Sequence, residues 1–228
     1  MSVARQKYIT EKAQAVLVSF WRNRDKIWDV APDVDSFFPV QADVLASRHM
    51  GLELEEPEAI ESDDPDFEVA GKIDRLHRRI TIAQKFPPEY QRFTTAHEIG
   101  HWCLHPGLGY HRDRPMQGGE HSNLARDPIE QEADLFAAEL LIPRKRLRDL
   151  FSKAFGEPIS GKDGRLELLQ MHKPHLSMNR LANQLRLRSL LIAEACSLGP
   201  QSFFPLYRYF GVSLTAMAIQ LEDLRLVI

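Results

Sequence analysis

A regular hydrophobic stripe runs through the segment between Pro88 and Pro106. Its members follow offsets of 3, 4, 7, 8 and 11 residues, which is the spacing of one face of an α-helix. The stripe consists of Phe93, Ala96, His97, Gly100, His101 and Leu104. Proline suits the first turn of a helix, and the Pro-Gly pair at 106–107 ends it. The pattern predicts a buried helix with two histidines on its apolar side. Because Gly100 is small, another element can approach this side closely.

A second helix is predicted between Asp127 and Pro143. Asp127 is a favourable N-cap, Pro128 suits the first helical position, and Pro143 closes the segment. One face of this helix combines acidic, small and apolar residues, namely Glu130, Ala133, Asp134, Ala137 and Leu141. We expect two carboxylates to project from this face, the alternative being an ordinary amphipathic helix with solvated acids.

The remaining pattern predicts more helix than strand. Alternating isoleucines predict a strand over Arg78–Ala83, and a second strand is predicted over Phe67–Asp74. Further helices are expected at 7–22, 40–50, 144–155, 164–171, 177–195, 201–210 and 213–224. The expected fold class is therefore α+β and predominantly helical. A small mixed sheet would pack on the histidine-bearing helix, and a helical C-terminal region would follow.

Composition indicates the cellular compartment in which the protein is expected. The chain has 228 residues, of which 43% are hydrophobic, enough to bury a core. No apolar run approaches the roughly 20 residues needed to span a membrane, and the first residues carry no apolar signal core. Two cysteines are too few for a disulfide scaffold. These features favour a cytoplasmic protein without a membrane partner.

The net charge of −3 conceals an uneven distribution. Residues 51–68 hold nine acidic residues and no basic one, which predicts a solvated loop. Residues 144–190 hold eleven Lys or Arg against four acidic residues. This basic stretch is either the solvated face of several helices or a docking surface for an acidic partner, and direct nucleic-acid binding stays open.

The sequence H-E-I-G-H at 97–101 contains candidate metal ligands and a candidate catalytic base. His97 and His101 lie one turn apart, so both imidazoles can reach one metal ion. Glu98 is offset by about 100°, which places it beside the ion, where a general base for water belongs. His105 lies about 6 Å further along the axis, so we expect it to cap the helix or contact a ligand.

A zinc site of this kind needs a third protein ligand and an open position for water. The predicted second helix offers Glu130 and Glu132, which point about 200° apart on an ideal helix. Glu130 and Asp134 resemble the E-x-x-x-D pattern of thermolysin-like zinc peptidases, in which the glutamate binds metal and the aspartate orients a histidine. We therefore prefer Glu130 as the ligand, with Glu132 as the alternative.

A broader resemblance joins these motifs. The sequence R-F-T-T-A-H-E-I-G-H-W-C-L-H, followed by I-E-Q-E-A-D-L-F-A-A-E-L-L-I-P, resembles the ImmA/IrrE family of metallopeptidases. F-P-V-Q-A-D-V-L-A upstream and the closing segment from Pro205 fit the same order, and Asp134 stands where the family usually has asparagine. The resemblance implies Zn²⁺ bound by His97, His101 and Glu130, with Glu98 as the catalytic base.

The expected function follows from this resemblance. Residues 1–143 would form a zinc metallopeptidase core, and 144–228 a helical region that contacts the partner. The activity would be that of a regulatory zinc-dependent metalloendopeptidase that cleaves a specific protein, such as a DNA-binding repressor or an antitoxin. The alternative is a metal-bearing regulatory module that binds a transcription factor without cleaving it. In the loop at 107–126, His111 and His121 could stabilise an oxyanion, but the sequence selects neither and favours solvated loop histidines.

Overall fold

A computed structural model describes residues 1–61, 68–107, 110–113 and 127–228, with the backbone alone described for 110–113. The chain divides into two compact units, Met1–Leu141 and Ile142–Ile228. This division lies two residues before the boundary expected at 143. Within the described ranges, no helix has the length and apolar character required to cross a bilayer.

The described residues of the first unit form five helical segments and a four-stranded sheet. The helices are α1 (Val3–Arg22), α2 (Arg24–Ile27), α3 (Ala42–Val44, continued by a π-helical turn at Leu45–His49), α4 (Pro88–Leu104) and α5 (Pro128–Leu141). The strands are β1 (Glu53–Glu55), β2 (Gly71–Asp74), β3 (Arg79–Ile82) and β4 (Tyr110–Asp113). Their order in the sheet is β1-β3-β2-β4, with β1 parallel to β3 and the other pairs antiparallel. The sheet is therefore mixed, as expected.

Helix α4 occupies the centre of this unit. It contacts α5 on one side and β2, β3 and α3 on others. Every residue from Thr94 to His101 is buried, so burial is continuous where the hydrophobic pattern predicted a single stripe. The reason is that helices and sheet together enclose this stretch, so that even its polar residues are withdrawn from water.

Two predictions for the first unit need correction. The acidic run expected to be a solvated loop contains strand β1, whose Glu53 and Glu55 both form ion pairs with Arg79 of β3 at 2.9 Å. Because Arg79 forms an ion pair with each carboxylate across the strands, the acidic residues are compatible with strand pairing. The strand expected over Phe67–Asp74 begins at Gly71, and Phe67 lies outside the described residues.

The second unit is helical with one short hairpin. Its helices are α6 (Arg144–Phe155), α7 (Arg165–Gln170), α8 (Met178–Asn183), α9 (Leu185–Glu194), α10 (Leu206–Phe210) and α11 (Leu214–Asp223). The hairpin pairs β5 (Ser197–Leu198) with β6 (Gln201–Ser202). The helical C-terminal region was therefore predicted correctly in kind.

Two helix boundaries in this unit differ from the prediction. The single helix expected over 177–195 is broken at Gln184, which has extended dihedral angles, and Arg188 donates to the carbonyl groups of Leu181 and Ala182 at the break. The helix expected over 201–210 begins only at Leu206. Pro205 disfavours helical conformation in the residue before it and favours a helix start after it.

Candidate metal centre

Three side chains from α4 and α5 converge on one point. The Nε2 atoms of His97 and His101 lie 2.9 Å apart. Glu130 places Oε2 3.3 Å from His97 Nε2 and Oε1 3.3 Å from His101 Nε2. Both histidines are buried, and the Glu130 side chain is 14% exposed. The three predicted ligands are thus brought together at the junction of the two helices.

The donor set fits a divalent metal ion. Two ligand atoms about 2 Å from a tetrahedral ion lie roughly 3.3 Å apart, which is close to the spacing seen between Glu130 and each histidine. His97, His101 and Glu130 form a group whose ligand atoms all lie within 4.8 Å of one another. Two imidazole nitrogens and one carboxylate oxygen suit zinc and related cations, and leave a position for water or substrate.

Asp134, which is predicted to orient a histidine, contacts the ring of His97. Its Oδ1 lies 3.0 Å from His97 Nδ1. A carboxylate can only accept a hydrogen bond, so the proton sits on Nδ1 and the lone pair of Nε2 faces the site. The aspartate therefore provides the hydrogen bond that an asparagine carbonyl oxygen would provide at this position.

His105 contacts a ligand rather than the metal position. It is the C-cap of α4, and its N–H donates to the His101 carbonyl at 3.0 Å. Its ring Nδ1 lies 3.0 Å from His101 Nδ1, and its Nε2 lies 3.0 Å from Glu132 Oε2. His105 therefore lies at the C-cap of α4 and in contact with the candidate ligand His101.

Glu132, the alternative third ligand, is directed elsewhere. Its carboxylate accepts two hydrogen bonds from the Arg5 guanidinium, at 2.9 and 2.6 Å. The bond from Arg5, with a smaller contribution from His105, lowers the pKa of Glu132 to about 2. The structure therefore favours Glu130 as the metal ligand, while Glu132 reaches the site only through His105.

Glu98 is enclosed beside the two histidines. Its side chain has no exposed surface. Strand β2 passes so close to it that a Cβ at Gly71 would lie 2.9 Å from Glu98 Oε1. Gly100 allows a similar approach on the other side of α4, since a Cβ there would lie 3.2 Å from the Ala133 backbone of α5. Small residues thus bring both walls of the site against α4, as predicted for Gly100 but not for Gly71.

Arg75, in the β2–β3 turn, was not predicted as part of the site. Its Nη2 donates to the carbonyl oxygens of His101 and Trp102 at 2.6 and 2.8 Å, and its guanidinium stacks on the Trp102 ring. A cation at the C-terminal carbonyls of a helix is favourable. Of the two candidate oxyanion donors, His121 lies outside the described residues, and only the backbone of His111 is described.

A helix bearing H-E-x-x-H, joined by a glutamate from the following helix, is the arrangement typical of metallopeptidases. Residues 57–156 match the Peptidase_M78 family, described as the IrrE N-terminal-like domain. These residues include α4, α5 and all three candidate ligands. Through this segment, the chain is similar to the ImmA/IrrE family of metallopeptidases.

One curated relative supports this assignment. The metallopeptidase ImmA of Bacillus subtilis (strain 168) is 34% identical over 61 residues, which is 27% of this chain. The matched region spans 33% of that relative's own length.

Proposed function

We propose that the protein is a zinc-dependent metalloendopeptidase. The observation that carries the proposal is the convergence of His97, His101 and Glu130, with the buried carboxylate of Glu98 directly beside them. Similarity to a metallopeptidase family supports the same activity. A module that only binds its partner has no need of an enclosed carboxylate at this position.

Each residue of the site has a distinct role in this proposal. Zinc bound by the three ligands would lower the pKa of water and polarise the peptide carbonyl group. Glu98 accepts a proton from the attacking water and returns it to the leaving amine. Asp134 fixes the tautomer of His97, and burial of Glu98 keeps bulk water from competing for the proton.

We further propose a protein substrate with a regulatory role, such as a DNA-binding repressor or an antitoxin. This part of the proposal rests on the family resemblance. We also propose that the protein is cytoplasmic. Both cysteines are free thiols, which suits a reducing compartment. In the second unit, Lys145, Lys153 and Arg180 are exposed and provide positive charge for recruiting an acidic partner.

The substitution Glu98→Gln tests the proposed chemistry. The amide has nearly the shape of the carboxylate but does not take up a proton at neutral pH. Glu89→Gln, on the same helix but outside the site, is the matched control. Purified proteins would be loaded with zinc and incubated with a proteome-derived peptide library. New N-termini would then be identified by mass spectrometry.

We expect zinc content near that of the wild type in both variants. Glu89→Gln should produce new N-termini as the wild type does, whereas Glu98→Gln should produce none. Cleavage by Glu98→Gln at close to the wild-type rate would contradict the role of Glu98. Zinc binding by the wild type without cleavage of any peptide or any captured partner would instead favour the binding module.

A further inference from the structure

We propose that Arg5 and Glu132 are positioning residues of the metal centre, acting on the ligand His101 through His105. This inference rests on the proposed zinc site and adds two residues that are not among its three proposed ligands. Arg5 lies in the first turns of α1, and Glu132 lies on α5. The two residues are 127 positions apart in the sequence.

The four side chains form an unbroken series of contacts. Arg5 donates two parallel hydrogen bonds to Glu132, from Nε to Oε1 at 2.9 Å and from Nη2 to Oε2 at 2.6 Å. Glu132 Oε2 also lies 3.0 Å from His105 Nε2. The opposite ring nitrogen of His105 lies 3.0 Å from His101 Nδ1. The series ends at the imidazole whose Nε2 faces the metal position.

With both imidazoles neutral, one arrangement of protons satisfies every contact in the series. Glu132 is an acceptor, so His105 donates from Nε2 and keeps a lone pair on Nδ1. That lone pair accepts the N–H of His101 Nδ1, which leaves the lone pair of His101 Nε2 for a metal ion. The reverse tautomer of His105 would set a ring lone pair against the Glu132 carboxylate, and its Nδ1–H would oppose the N–H that His101 carries when its Nε2 lone pair faces the metal position. Glu132 therefore selects the tautomer of His105, and His105 selects that of His101.

The geometry distinguishes this contact from an ordinary surface ion pair. The side chain of Glu132 is 17% exposed, and the guanidinium meets it in the two-bond form. Lys7 and Glu11, on the same helix as Arg5, form an exposed pair at 3.8 Å with a single contact. Arg5 uses both carboxylate oxygens, so it fixes the orientation of Glu132 relative to His105. The pair Lys7–Glu11 reaches no residue of the site.

Glu132→Gln is the most informative substitution, because a glutamine has only one acceptor oxygen. Its amide NH₂ must face either Arg5 Nε or the two donors Arg5 Nη2 and His105 Nε2, so either orientation sets opposed donors against Arg5 and one of them does so against His105 as well. Partners of metal-bound histidines typically contribute about 10- to 100-fold to metal affinity. We expect a loss of that size for Glu132→Gln and a smaller loss for Arg5→Gln. Arg5→Lys should recover part of the loss, since it keeps the charge but not the two-bond geometry.

The experiment measures the zinc dissociation constant of the full-length protein by competition with a chromophoric zinc chelator. Lys7→Gln is the matched control on α1. Each substitution is also made in a His105→Ala background, and urea unfolding of the metal-free proteins reports any change in stability. A role limited to docking α1 would lower stability equally with and without His105. A positioning role requires that Glu132→Gln and Arg5→Gln have no further effect on zinc affinity once His105 is absent.

The results separate this inference from the proposed function. Zinc binding by the wild type, weakened in Glu132→Gln and Arg5→Gln only when His105 is present, supports the inference. Wild-type affinity in both variants overturns it and leaves the zinc site intact. A loss of zinc affinity by the same factor in the presence and absence of His105 also overturns it. Failure of the wild type to bind zinc overturns the proposed function, and the inference with it.

Discussion

Gly71 of β2 lies directly against the Glu98 side chain of α4. A Cβ at position 71 would lie 2.9 Å from Glu98 Oε1 and 3.3 Å from its Cγ. It would also lie 2.5 Å from the Cγ2 of Thr94, one turn earlier on the same helix. Atoms cannot approach so closely without displacement, so the absence of a side chain at Gly71 allows the sheet to hold Glu98 in place.

Gly71→Ala should therefore reduce cleavage more than it reduces zinc binding. The added methyl group displaces either Glu98 or β2, whereas the ligands lie on α4 and α5. Overpacking of this kind costs about 1–3 kcal/mol of stability. Peptide cleavage rate, zinc affinity and urea unfolding measure the three effects.

Gly164→Ala provides the control for this substitution, because a Cβ there would meet no atom within 4 Å. Its backbone is also in the right-handed helical region, so alanine introduces no strain. If Gly71→Ala cleaves as fast as Gly164→Ala, strand β2 does not position the base.

Glu130→Ala and Glu132→Ala should differ in their effect on zinc. The carboxylate of Glu130 lies 3.3 Å from both histidine Nε2 atoms, whereas that of Glu132 contacts Arg5 and His105. Glu130→Ala should weaken zinc binding by more than the roughly 10- to 100-fold typical of a residue that only contacts a ligand. Competition titration and metal analysis of both variants decide the assignment. A larger loss for Glu132→Ala would make Glu132 the third ligand.

The two cysteines should react with iodoacetamide at different rates. Cys196 is exposed, whereas Cys103 is half-buried on α4, and burial raises the pKa of its thiol to about 11. The thiolate is the reactive form, so a raised pKa means slow alkylation at pH 8 and a rate that climbs as the pH approaches 11. Peptide mass spectrometry over a time course at several pH values measures both rates. In urea the two thiols should react alike, and equal rates in the folded protein would contradict the burial of Cys103.

The two helices of the site were predictable because helical spacing alone decides which residues share a face. His97 and His101 are one turn apart, and Glu130 and Asp134 are one turn apart, so each pair was expected to project together. The structure adds the packing that brings the pairs together, through the close approach of Gly100 to Ala133. That approach could be inferred in kind from the small residue at position 100, but its partner could not.

Other parts of the site depend on contacts that no local pattern contains. Arg5 and Glu132 are 127 residues apart; Arg5 belongs to no motif, and Glu132 was considered only as the alternative metal ligand. Gly71 matters only because β2 crosses α4 at Glu98, which is a property of the tertiary fold. Strand β1 was missed because its carboxylates suggested a solvated loop, and their partner Arg79 lies on another strand. Sequence periodicity thus indicated the candidate ligands, whereas long-range packing determines which residues contact them.

The basic residues of the second unit divide into two groups, which sharpens the test of partner binding. Several are engaged within the unit: Arg148 donates to the Leu224 carbonyl, Arg186 pairs with Glu222, and Arg188 is buried. Reversing the charge of such residues would perturb the fold as well as the surface. Lys145, Lys153 and Arg180 are exposed and are the better choice for substitution.

Lys145→Glu, Lys153→Glu and Arg180→Glu in one protein should weaken binding of the protein substrate without changing zinc content. Exposed ion pairs contribute roughly 0.2–1 kcal/mol each, so we expect a loss of affinity of about tenfold at low ionic strength. Screening should shrink that loss at high salt. The matched control reverses three exposed lysines of the first unit, Lys7, Lys12 and Lys26. Affinity for the protein substrate of the Glu98→Gln form, which does not consume it, is measured at both salt concentrations. Equal affinity of the two triple variants at low salt would show that the basic residues of the second unit are only a solvated surface.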